Sequence, residues 1–261
     1  MKKLLLFVLL TTLFLLPAVA DRAVSETVDA DPDGEVSIEL IAGEVTIVGW
    51  DRNSVEVTGT VGDDVEEVEV ESRGGRVSIE VELVDDVGDG RSYHDANAEL
   101  EIRVPKSSRI DFEAVSAELS ITDVDGEGDI ETVSGTIEVD GGMREAHVAS
   151  VSGDILIRSR EPLRGGEFET VSGDIELQAE LGRGDFSFES VSGDITLRLP
   201  GRTSAEFDIE TFSGRIKNAF GPQAERTDEY APGKELHFEL GGGDARVEVE
   251  SFSGTVELQE D

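Results

Sequence analysis

A five-residue phrase, V-S-G-D-I, recurs along this chain and constrains its fold more than any other feature. It stands at Val151–Ile155, Val171–Ile175 and Val191–Ile195, and degenerate copies flank it on both sides. The serines of all the copies are Ser116, Ser134, Ser152, Ser172, Ser192, Ser213 and Ser253. Their intervals are 18, 18, 20, 20, 21 and 40 residues, so the last interval predicts two units, of which one has lost the phrase.

Each unit also repeats a pattern of apolar residues around the phrase. Three residues before the Val or Phe of the phrase stand Phe112, Ile130, Val148, Phe168, Phe188, Ile209 and Val249. Two residues after the glycine position stand Leu119, Ile137, Ile155, Ile175, Ile195, Ile216 and Val256. Polar residues alternate with both columns, which is typical of strands that bury one face. Each unit is therefore predicted to be two short strands joined at a V-S-G corner. There glycine supplies a positive φ, serine bonds the backbone, and the Val or Phe extends the buried column.

Units of this length and pattern predict an all-β fold, a single-stranded β-helix or β-solenoid. A period of about 20 residues is too short for a propeller blade, and the sequence lacks the helical periodicity of a leucine-rich horseshoe. In a solenoid each unit forms one coil, and equivalent residues of successive coils stack about 4.8 Å apart. The chain is long enough for roughly ten such coils.

The outer side of the corner carries a column of polar residues. Its members are Glu118, Thr136, Asp154, Asp174, Asp194, Arg215 and Thr255. Three stacked aspartates would repel one another, so we expect them either to cap backbone amides of the corner or to hold solvent cations. If the coils stack in sequence order, Arg215 lies beyond Asp194 and neutralises that end of the column.

The first twenty residues have the pattern of a secretory signal peptide. Two lysines precede the apolar run Leu4–Leu16, and Ala18–Ala20 (A-V-A) matches a cleavage site of small residues. We expect a signal peptide at 1–20 and one solenoid domain at 21–261, exported to the periplasm, the exterior or the cell surface. No later segment approaches the roughly 20 apolar residues of a spanning helix, so no transmembrane segment is expected after cleavage.

The charge of the chain excludes two classes of partner. The formal net charge is −37, and removal of Lys2 and Lys3 with the signal peptide changes it to −39. Nucleic acids and anionic membrane surfaces need cationic patches, so neither is expected as a partner. The acidic residues alternate with apolar ones, which predicts a folded core rather than a disordered acidic tail. There is no cysteine, so the fold depends on packing and not on disulfides.

Two segments leave the alternating pattern. They are Asp85–Asn97 (DDVGDGRSYHDAN) and Asn218–Glu235 (NAFGPQAERTDEYAPGKE). Both are long for connections within a compact domain, and insertions in solenoids project from the stack and often carry binding residues. They are therefore either binding loops or plain surface loops.

No catalytic set stands out in the sequence. Acidic residues occupy nearly every polar position, and His94, His147 and His237 are isolated from one another. Neither a carboxylate pair nor a nucleophile with its base can be singled out, so no enzyme and no catalytic or cofactor-binding residue is predicted.

Calcium is the one cofactor that the sequence permits. Asp29, Asp31 and Asp33 occupy positions 1, 3 and 5 of a calcium loop, with Gly34 at position 6. Leu40 stands at position 12, where a bidentate glutamate belongs. The three aspartates are the candidate metal ligands, and a polar turn before the first strand of the stack is the alternative.

Three elements of the sequence together resemble a known family. Val45–Val57 (VTIVGWDRNSVEV), Leu100–Pro105 (LEIRVP) and the series of V-S-G-D-I phrases are similar to the bacterial putative-adhesin family of exported β-solenoid proteins, long labelled a domain of unknown function. The resemblance covers essentially the whole mature chain. It implies the solenoid fold and, through the family's name, adhesion, and it brings no catalytic residue with it.

These observations predict an exported, non-enzymatic β-solenoid that acts as an adhesin or a surface-binding or display protein. Its partner would be a protein or glycan of a cell surface or envelope. The alternative is a periplasmic or envelope scaffold or regulatory protein without a foreign ligand. A polysaccharide-active β-helix enzyme is a third interpretation, disfavoured because an acidic groove repels acidic polysaccharides.

Overall fold

The structure is a computed structural model of the 261-residue chain, and it describes residues 22–84, 95–227 and 232–261. The predicted signal peptide at 1–20, and parts of both irregular segments, lie outside these ranges. Within them the chain forms β-strands and no α-helix, so the all-β prediction is confirmed. The described part of the chain accordingly contains no helix with the length and apolar character needed to cross a membrane.

Twenty-one strands follow one another along the described chain. The first seven are β1 (Arg22–Asp29), β2 (Glu35–Trp50), β3 (Ser54–Val61), β4 (Val65–Arg73), β5 (Arg76–Leu83), β6 (Asn97–Pro105) and β7 (Arg109–Thr122). The regular units supply β8 (Glu127–Ser134), β9 (Ile137–Gly141), β10 (Glu145–Ser152), β11 (Ile155–Ser159), β12 (Gly165–Thr170), β13 (Ile175–Gln178), β14 (Asp185–Ser192) and β15 (Ile195–Leu199). The last six are β16 (Ala205–Thr211), β17 (Arg215–Asn218), β18 (Glu225–Arg226), β19 (Lys234–Leu240), β20 (Ala245–Ser253) and β21 (Thr255–Glu260).

Strands β2 and β7 run through the corner without a break and join two half-sheets into one sheet. We call the part before the corner the leading half-sheet and the part after it the trailing half-sheet. The leading half-sheet has the order β4, β5, β2, β7, β8, β10, β12, β14, β20, β16, β19, β18. The trailing half-sheet has the order β1, β3, β6, β2, β7, β9, β11, β13, β15, β21, β17.

The interior is a set of stacked apolar columns. Val148 lies opposite Ile130 on one side and Phe168 on the other, and all three are fully buried. The rings of Phe168 and Phe188 stack in the same column with centroids 4.9 Å apart. The predicted inward columns are buried except at Ile216, which is half-buried on the edge strand β17. This stacking gives a solenoid-like fold, while a count of roughly ten coils and a period of about 20 residues stay predictions for the whole chain.

The coils do not stack in sequence order. The last unit, β20 and β21, lies between β14–β15 and β16–β17, and β2 lies between the β5–β6 unit and β7. The prediction that Arg215 lies beyond Asp194 is therefore wrong. Thr255 hydrogen-bonds to Asp194, and Arg215 lies opposite Thr255, one strand further away.

The prediction that the Val or Phe of each phrase extends the buried column is also wrong. These side chains are between 47% and 59% exposed. Each stands three residues after an inward residue, and an odd spacing along a strand reverses the face to which a side chain points. The corner residue that does face inward is the Ser, Thr or Ala immediately before the Val or Phe.

Candidate functional site

A continuous row of apolar side chains lies on the outside of the stack. In stacking order its eight members are Ile41, Val115, Val133, Val151, Val171, Val191, Phe252 and Phe212, and we call them the apolar row. Their exposure ranges from 43% at Ile41 to 59% at Phe212. At about 4.8 Å per strand, eight stacked members make a row about 34 Å long.

The row ends in a pair of exposed aromatic rings. Phe212 and Phe252 stack with centroids 4.8 Å apart and ring planes 8° apart. Both lie at the end of the stack that β16 and β20 form, so a flat aromatic surface terminates the apolar row there. Solvent-exposed aromatic pairs of this kind are typical anchors in binding surfaces.

A row of glutamates runs parallel to the apolar row. It stands two residues earlier on the strands that carry the apolar row, and Glu80 on β5 extends it by one strand. In stacking order it comprises Glu80, Glu39, Glu113, Glu131, Glu169, Glu189, Glu250 and Glu210, and we call it the glutamate row. Ala149 is the single position of this column, between Glu131 and Glu169, that holds another residue type. Carboxylates directly opposite each other on neighbouring strands repel, so this arrangement lowers the stability of the fold.

The two rows form the walls of a groove that follows the long axis of the stack. Its volume is about 1270 Å³, and residues of both rows line it. Leu83 lines one end, and Thr227, Pro232 and Gly233 line the other. Pockets for small ligands usually enclose about 300–1,000 Å³, so both the length and the volume favour an elongated ligand.

The charge of the glutamate row is not balanced within the described chain. None of its eight carboxylates forms an ion pair with a Lys, Arg or His of residues 22–84, 95–227 or 232–261. The trailing half-sheet is different, because Arg198 pairs with Glu176 at 3.1 Å and Lys217 pairs with Glu257 at 2.7 Å. Among the residues that the structure describes, the ion pairs of arginine and lysine therefore involve carboxylates outside the glutamate row, and the groove stays strongly acidic.

Two carboxylates of the groove, Glu113 and Glu169, have raised pKa values. The pKa of Glu113 is raised, first by partial desolvation and then by the charges of Glu39 and other nearby carboxylates. Partial desolvation, a hydrogen bond shared with Glu167 and the charge of Glu189 raise the pKa of Glu169, against a small opposite effect of His147. A cation placed in the groove would relieve the repulsion that both shifts express.

Hydroxyl groups fill the inside of the corner, opposite the apolar row. Thr132 donates from Oγ1 to the carbonyl oxygen of Ser134 at 2.9 Å. The equivalent hydroxyls of Ser150, Thr170, Thr211 and Ser251 are buried and have no hydrogen-bond partner. They pack toward the glycine position of the phrase, where a Cβ on Gly153 would lie 2.9 Å from Ser150 Oγ and 1.9 Å from the carbonyl oxygen of Gly135. The prediction that this glycine supplies a positive φ is wrong for Gly153, Gly173 and Gly193. Glycine is required there because the neighbouring coil leaves no space for a side chain.

The aspartates of the phrase cap backbone amides of the adjacent coil. Asp154 Oδ1 accepts a hydrogen bond from the Asp174 amide at 2.9 Å, and Asp174 Oδ1 accepts one from the Asp194 amide at 2.8 Å. Of the two alternatives left by the sequence, capping is the one that the hydrogen bonds support. The phrase is thus a structural element, and its exposed valine is the part available to a ligand.

The candidate calcium ligands lie at the start of the stack. Asp29 ends β1 and accepts a hydrogen bond from Ser72 Oγ through its carbonyl oxygen, at 2.7 Å. Asp31 and Asp33 lie in the exposed turn before β2, where Gly34 donates its amide to the Asp31 carbonyl. Among described residues, the groups of possible metal ligands within 4.8 Å of one another are Asp129, Glu131 and His147, and Glu69, Glu80 and Glu82. Calcium at Asp29, Asp31 and Asp33 stays a prediction.

The other residues singled out in the sequence do not converge. His147 Nδ1 lies 3.3 Å from Glu167, and His237 Nε2 lies 3.6 Å from Glu206, while His94 lies outside the described residues. Of the two irregular segments, 85–94 and 228–231 lie outside the described residues. Their described flanks, Leu83 and Thr227, line opposite ends of the groove.

This geometry defines a class of protein: a solenoid-like β-protein with an acidic and apolar groove along its axis. The family described as Toastrack DUF4097 matches residues 30–259, and the chain belongs to that family. The family resemblance predicted from the sequence is thereby confirmed. None of the curated proteins compared with the chain matches it.

Three solved structures with a similar course of the chain come from bacteria. A putative adhesin from Bacteroides fragilis NCTC 9343 is 12% identical, with a TM-score of 0.53 over 92% of this chain and 98% of that one. A putative cell adhesion protein from Clostridium sporogenes ATCC 15579 is 13% identical, with a TM-score of 0.38 over 92% of this chain and 100% of that one. A putative lipid binding protein from Parabacteroides distasonis ATCC 8503 is 11% identical, with a TM-score of 0.44 over 90% and 96%. At such identities the likeness concerns the fold alone, and the first of them carries it.

Proposed function

We propose that this chain is an exported, non-enzymatic solenoid of roughly ten coils that binds a component of a cell surface or envelope. The signal peptide at 1–20 would be removed, and the domain at 21–261 would act in the periplasm or at the cell surface as an adhesin or display protein. The observation that carries the proposal is the apolar row, which exposes eight stacked apolar side chains on a hydrogen-bonded stack.

Solvent-exposed apolar side chains are common singly, but a contiguous line of them on a soluble surface marks an interaction site. Full burial of a valine is worth about 1.5–3 kcal/mol relative to exposure, so covering a half-exposed one contributes about 1 kcal/mol. Several such contacts together suffice for specific binding. The stack holds the side chains in place before the ligand arrives, which reduces the entropy lost on binding.

The proposal excludes catalysis because the groove repeats one pattern. A catalytic site needs a few unlike groups that converge at one point. The groove offers instead nearly the same pair of side chains from coil to coil, glutamate on one wall, interrupted at Ala149, and isoleucine, valine or phenylalanine on the other. A uniform surface of this kind suits the binding of an extended partner. The putative-adhesin names of similar solved structures agree with such a role for the chain.

The test is a binding assay with labelled protein, residues 21–261, on intact cells and on separated envelope fractions at fixed salt. Saturable binding that unlabelled protein displaces is the expected result. Absence of saturable binding to every fraction would overturn the proposal and would favour the alternative, a periplasmic scaffold or regulatory protein without a foreign ligand.

Calcium at Asp29, Asp31 and Asp33 is a separate proposal. Bound Ca²⁺ would stabilise the folded state, because a ligand that binds only the folded chain raises its stability. Titration of Ca²⁺ into the domain should release or absorb heat and raise the melting temperature. If neither changes at about millimolar calcium, a range in which extracellular modules bind, the proposal fails.

A further inference from the structure

The negative charge of the groove limits the chemical classes of partner that it can bind. The glutamate row places eight carboxylates along one wall, and none has a cationic partner among the described residues. On the trailing half-sheet the chain does place arginine or lysine beside glutamate, as at Arg198 and Lys217. The absence of such residues from the groove wall therefore leaves room for cations that a partner brings.

The apolar row sets a second requirement. Except for Glu80, each carboxylate of the glutamate row stands two residues before a member of the apolar row, for example Glu169 before Val171 and Glu189 before Val191. A small inorganic cation would satisfy the carboxylates but leave the valines exposed to water. A neutral lipid chain would cover the valines but leave the carboxylates unpaired. The ligand that satisfies both walls carries apolar groups and positive charges side by side.

The aromatic end of the groove agrees with this chemistry. Phe212 and Phe252 present their stacked rings beside Glu210 and Glu250, which line the same groove. A guanidinium or ammonium group is attracted both to an aromatic ring and to a carboxylate. Arginine and lysine side chains would therefore find both kinds of contact at this end.

The length of the groove points to a polymer. A row about 34 Å long matches about ten residues of extended polypeptide at about 3.3 Å per residue. Such a segment would cross the strands of the stack, so its side chains and not its backbone would be recognised. A second copy of this chain is excluded as the occupant, because its groove and its net charge are equally negative.

We propose that the groove binds an extended, cationic polypeptide segment in which lysine or arginine residues alternate with apolar ones. The inference rests on the proposed binding function and names its partner class. The apolar side chains of the segment contact the apolar row, and its cations pair with the glutamate row.

Fluorescence anisotropy with a labelled peptide of about twelve alternating lysine and leucine residues tests the proposal on the chain 21–261. We expect saturable binding that weakens with salt, because charge pairs at a partly exposed surface are screened. Peptides with glutamate in place of lysine, or serine in place of leucine, should bind at least about tenfold more weakly. Equal binding of the lysine–serine peptide would overturn the proposal, because the apolar row would then play no part.

Two pairs of variants locate the site. Val151→Ser with Val171→Ser, and Glu169→Gln with Glu189→Gln, should each raise the peptide Kd at least about tenfold. The matched controls lie outside the groove and should change the Kd less than about twofold: Val48→Ser with Leu156→Ser, and Glu44→Gln with Glu99→Gln, two exposed glutamates in register. Circular dichroism spectra and melting curves of the four double variants will test whether each of them is folded. If a groove variant and its matched control lose the same peptide affinity, binding is not specific to the groove and the proposal is overturned.

The outcome separates this inference from the proposed function. If envelope fractions bind the protein and the groove variants lose that binding, yet the peptide does not bind, the function stands and the cationic partner is wrong. If the peptide binds in the groove but no cell or envelope fraction does, the partner class stands and the envelope role is wrong.

Discussion

The backbone amide of Thr255 donates a hydrogen bond of 2.7 Å to Oδ1 of Asp194, across 61 residues of sequence. The same bond links the amide of Asp174 to Asp154 and the amide of Asp194 to Asp174. A column of three aspartates thus connects four neighbouring coils. It also shows that the last unit of the chain joins the stack at Asp194, inside the stack and not at its end.

Removal of one of these caps should destabilise the fold. Asp174→Ala leaves the Asp194 amide without its acceptor, and we expect a loss of about 1 kcal/mol in the free energy of unfolding. Asp174→Asn should cost less, because the amide oxygen still accepts and one like charge is removed. Urea denaturation measures both. Thr136→Ala is the control, since the Thr136 side chain forms no such bond, and an Asp174→Ala variant as stable as wild type would contradict the capping role.

The position of the last unit predicts an unusual response to truncation. In a solenoid that stacks in sequence order, removal of the last coil only shortens the stack. Here, removal of residues 244–261 takes β20 and β21 from between β14–β15 and β16–β17 and leaves unpaired edges on both sides. We expect loss of cooperative unfolding in thermal denaturation followed by circular dichroism.

Deletion of β1 is the matched control for that truncation. This strand pairs only with β3 at the edge of the trailing half-sheet, and most of its side chains are exposed. Its removal should lower the melting temperature slightly and leave one cooperative transition. If both deletions have the same small effect, the stacking order described above is wrong.

The unpartnered hydroxyls in the corner predict a stabilising substitution. Thr170 Oγ1 is buried without a hydrogen bond, so Thr170→Val removes a desolvated polar group and should stabilise the fold by about 1 kcal/mol. Thr132 Oγ1 does donate to Ser134, so Thr132→Val should destabilise it by about 1 kcal/mol. The two free energies of unfolding, measured in urea, should move in opposite directions. Equal shifts would mean that the corner hydroxyls are solvated alike.

Stability at low salt should depend on pH through the glutamate row. The pKa values of Glu113 and Glu169 are raised in the folded chain, so protonation favours folding. Their contribution is fully present below the unfolded pKa, near 4.5, and is lost as pH rises through the folded value. Asp244 and Glu257 have lowered pKa values, chiefly through hydrogen bonds from Ser204 and Lys217, and their contribution is lost as pH falls. The free energy of unfolding should therefore be largest at mildly acidic pH.

Chemical denaturation at several pH values from about 4 to 8 checks this dependence. In the double variant Glu169→Gln with Glu189→Gln, the free energy of unfolding should decline less between acidic and neutral pH. The charge-matched comparison is Glu44→Gln with Glu99→Gln, which lies outside the groove. Added salt should also flatten it, because it screens the repulsion. A free energy of unfolding that rises steadily up to pH 8 in wild type would contradict the assigned repulsion.

The sequence was sufficient to predict the buried columns and the position of the corner, but not which way the Val or Phe of the corner points. Alternation around Phe168 and Ile175 identifies strands with one buried face, and both residues are buried. The exposed valines were missed because their apolar character was given more weight than their odd spacing from the inward column. Val171 stands three residues after Phe168, so strict alternation already places it outside. The spacing therefore already indicates that the valines of the groove face outward.

The stacking order could not be predicted from the repeat. The interval between Ser213 and Ser253 shows that a unit is irregular, but it does not say where the last unit pairs. The last unit pairs in parallel with whichever strands still have an unpaired edge, here β14 and β16. Which strands these are depends on how the whole stack is arranged. The repeat therefore predicts Arg215 beside Asp194, and the structure has Thr255 there.

The apolar row is the surface on which the proposed binding function depends most directly. The decisive measurement is saturable binding of labelled protein to separated envelope fractions, compared among wild type, Val151→Ser with Val171→Ser, and Val48→Ser with Leu156→Ser. We predict that the groove variant binds the envelope fractions at least about tenfold more weakly than wild type. The variant on the trailing half-sheet should bind with the affinity of wild type. Undiminished binding by the groove variant, or equal loss by both, would contradict the account.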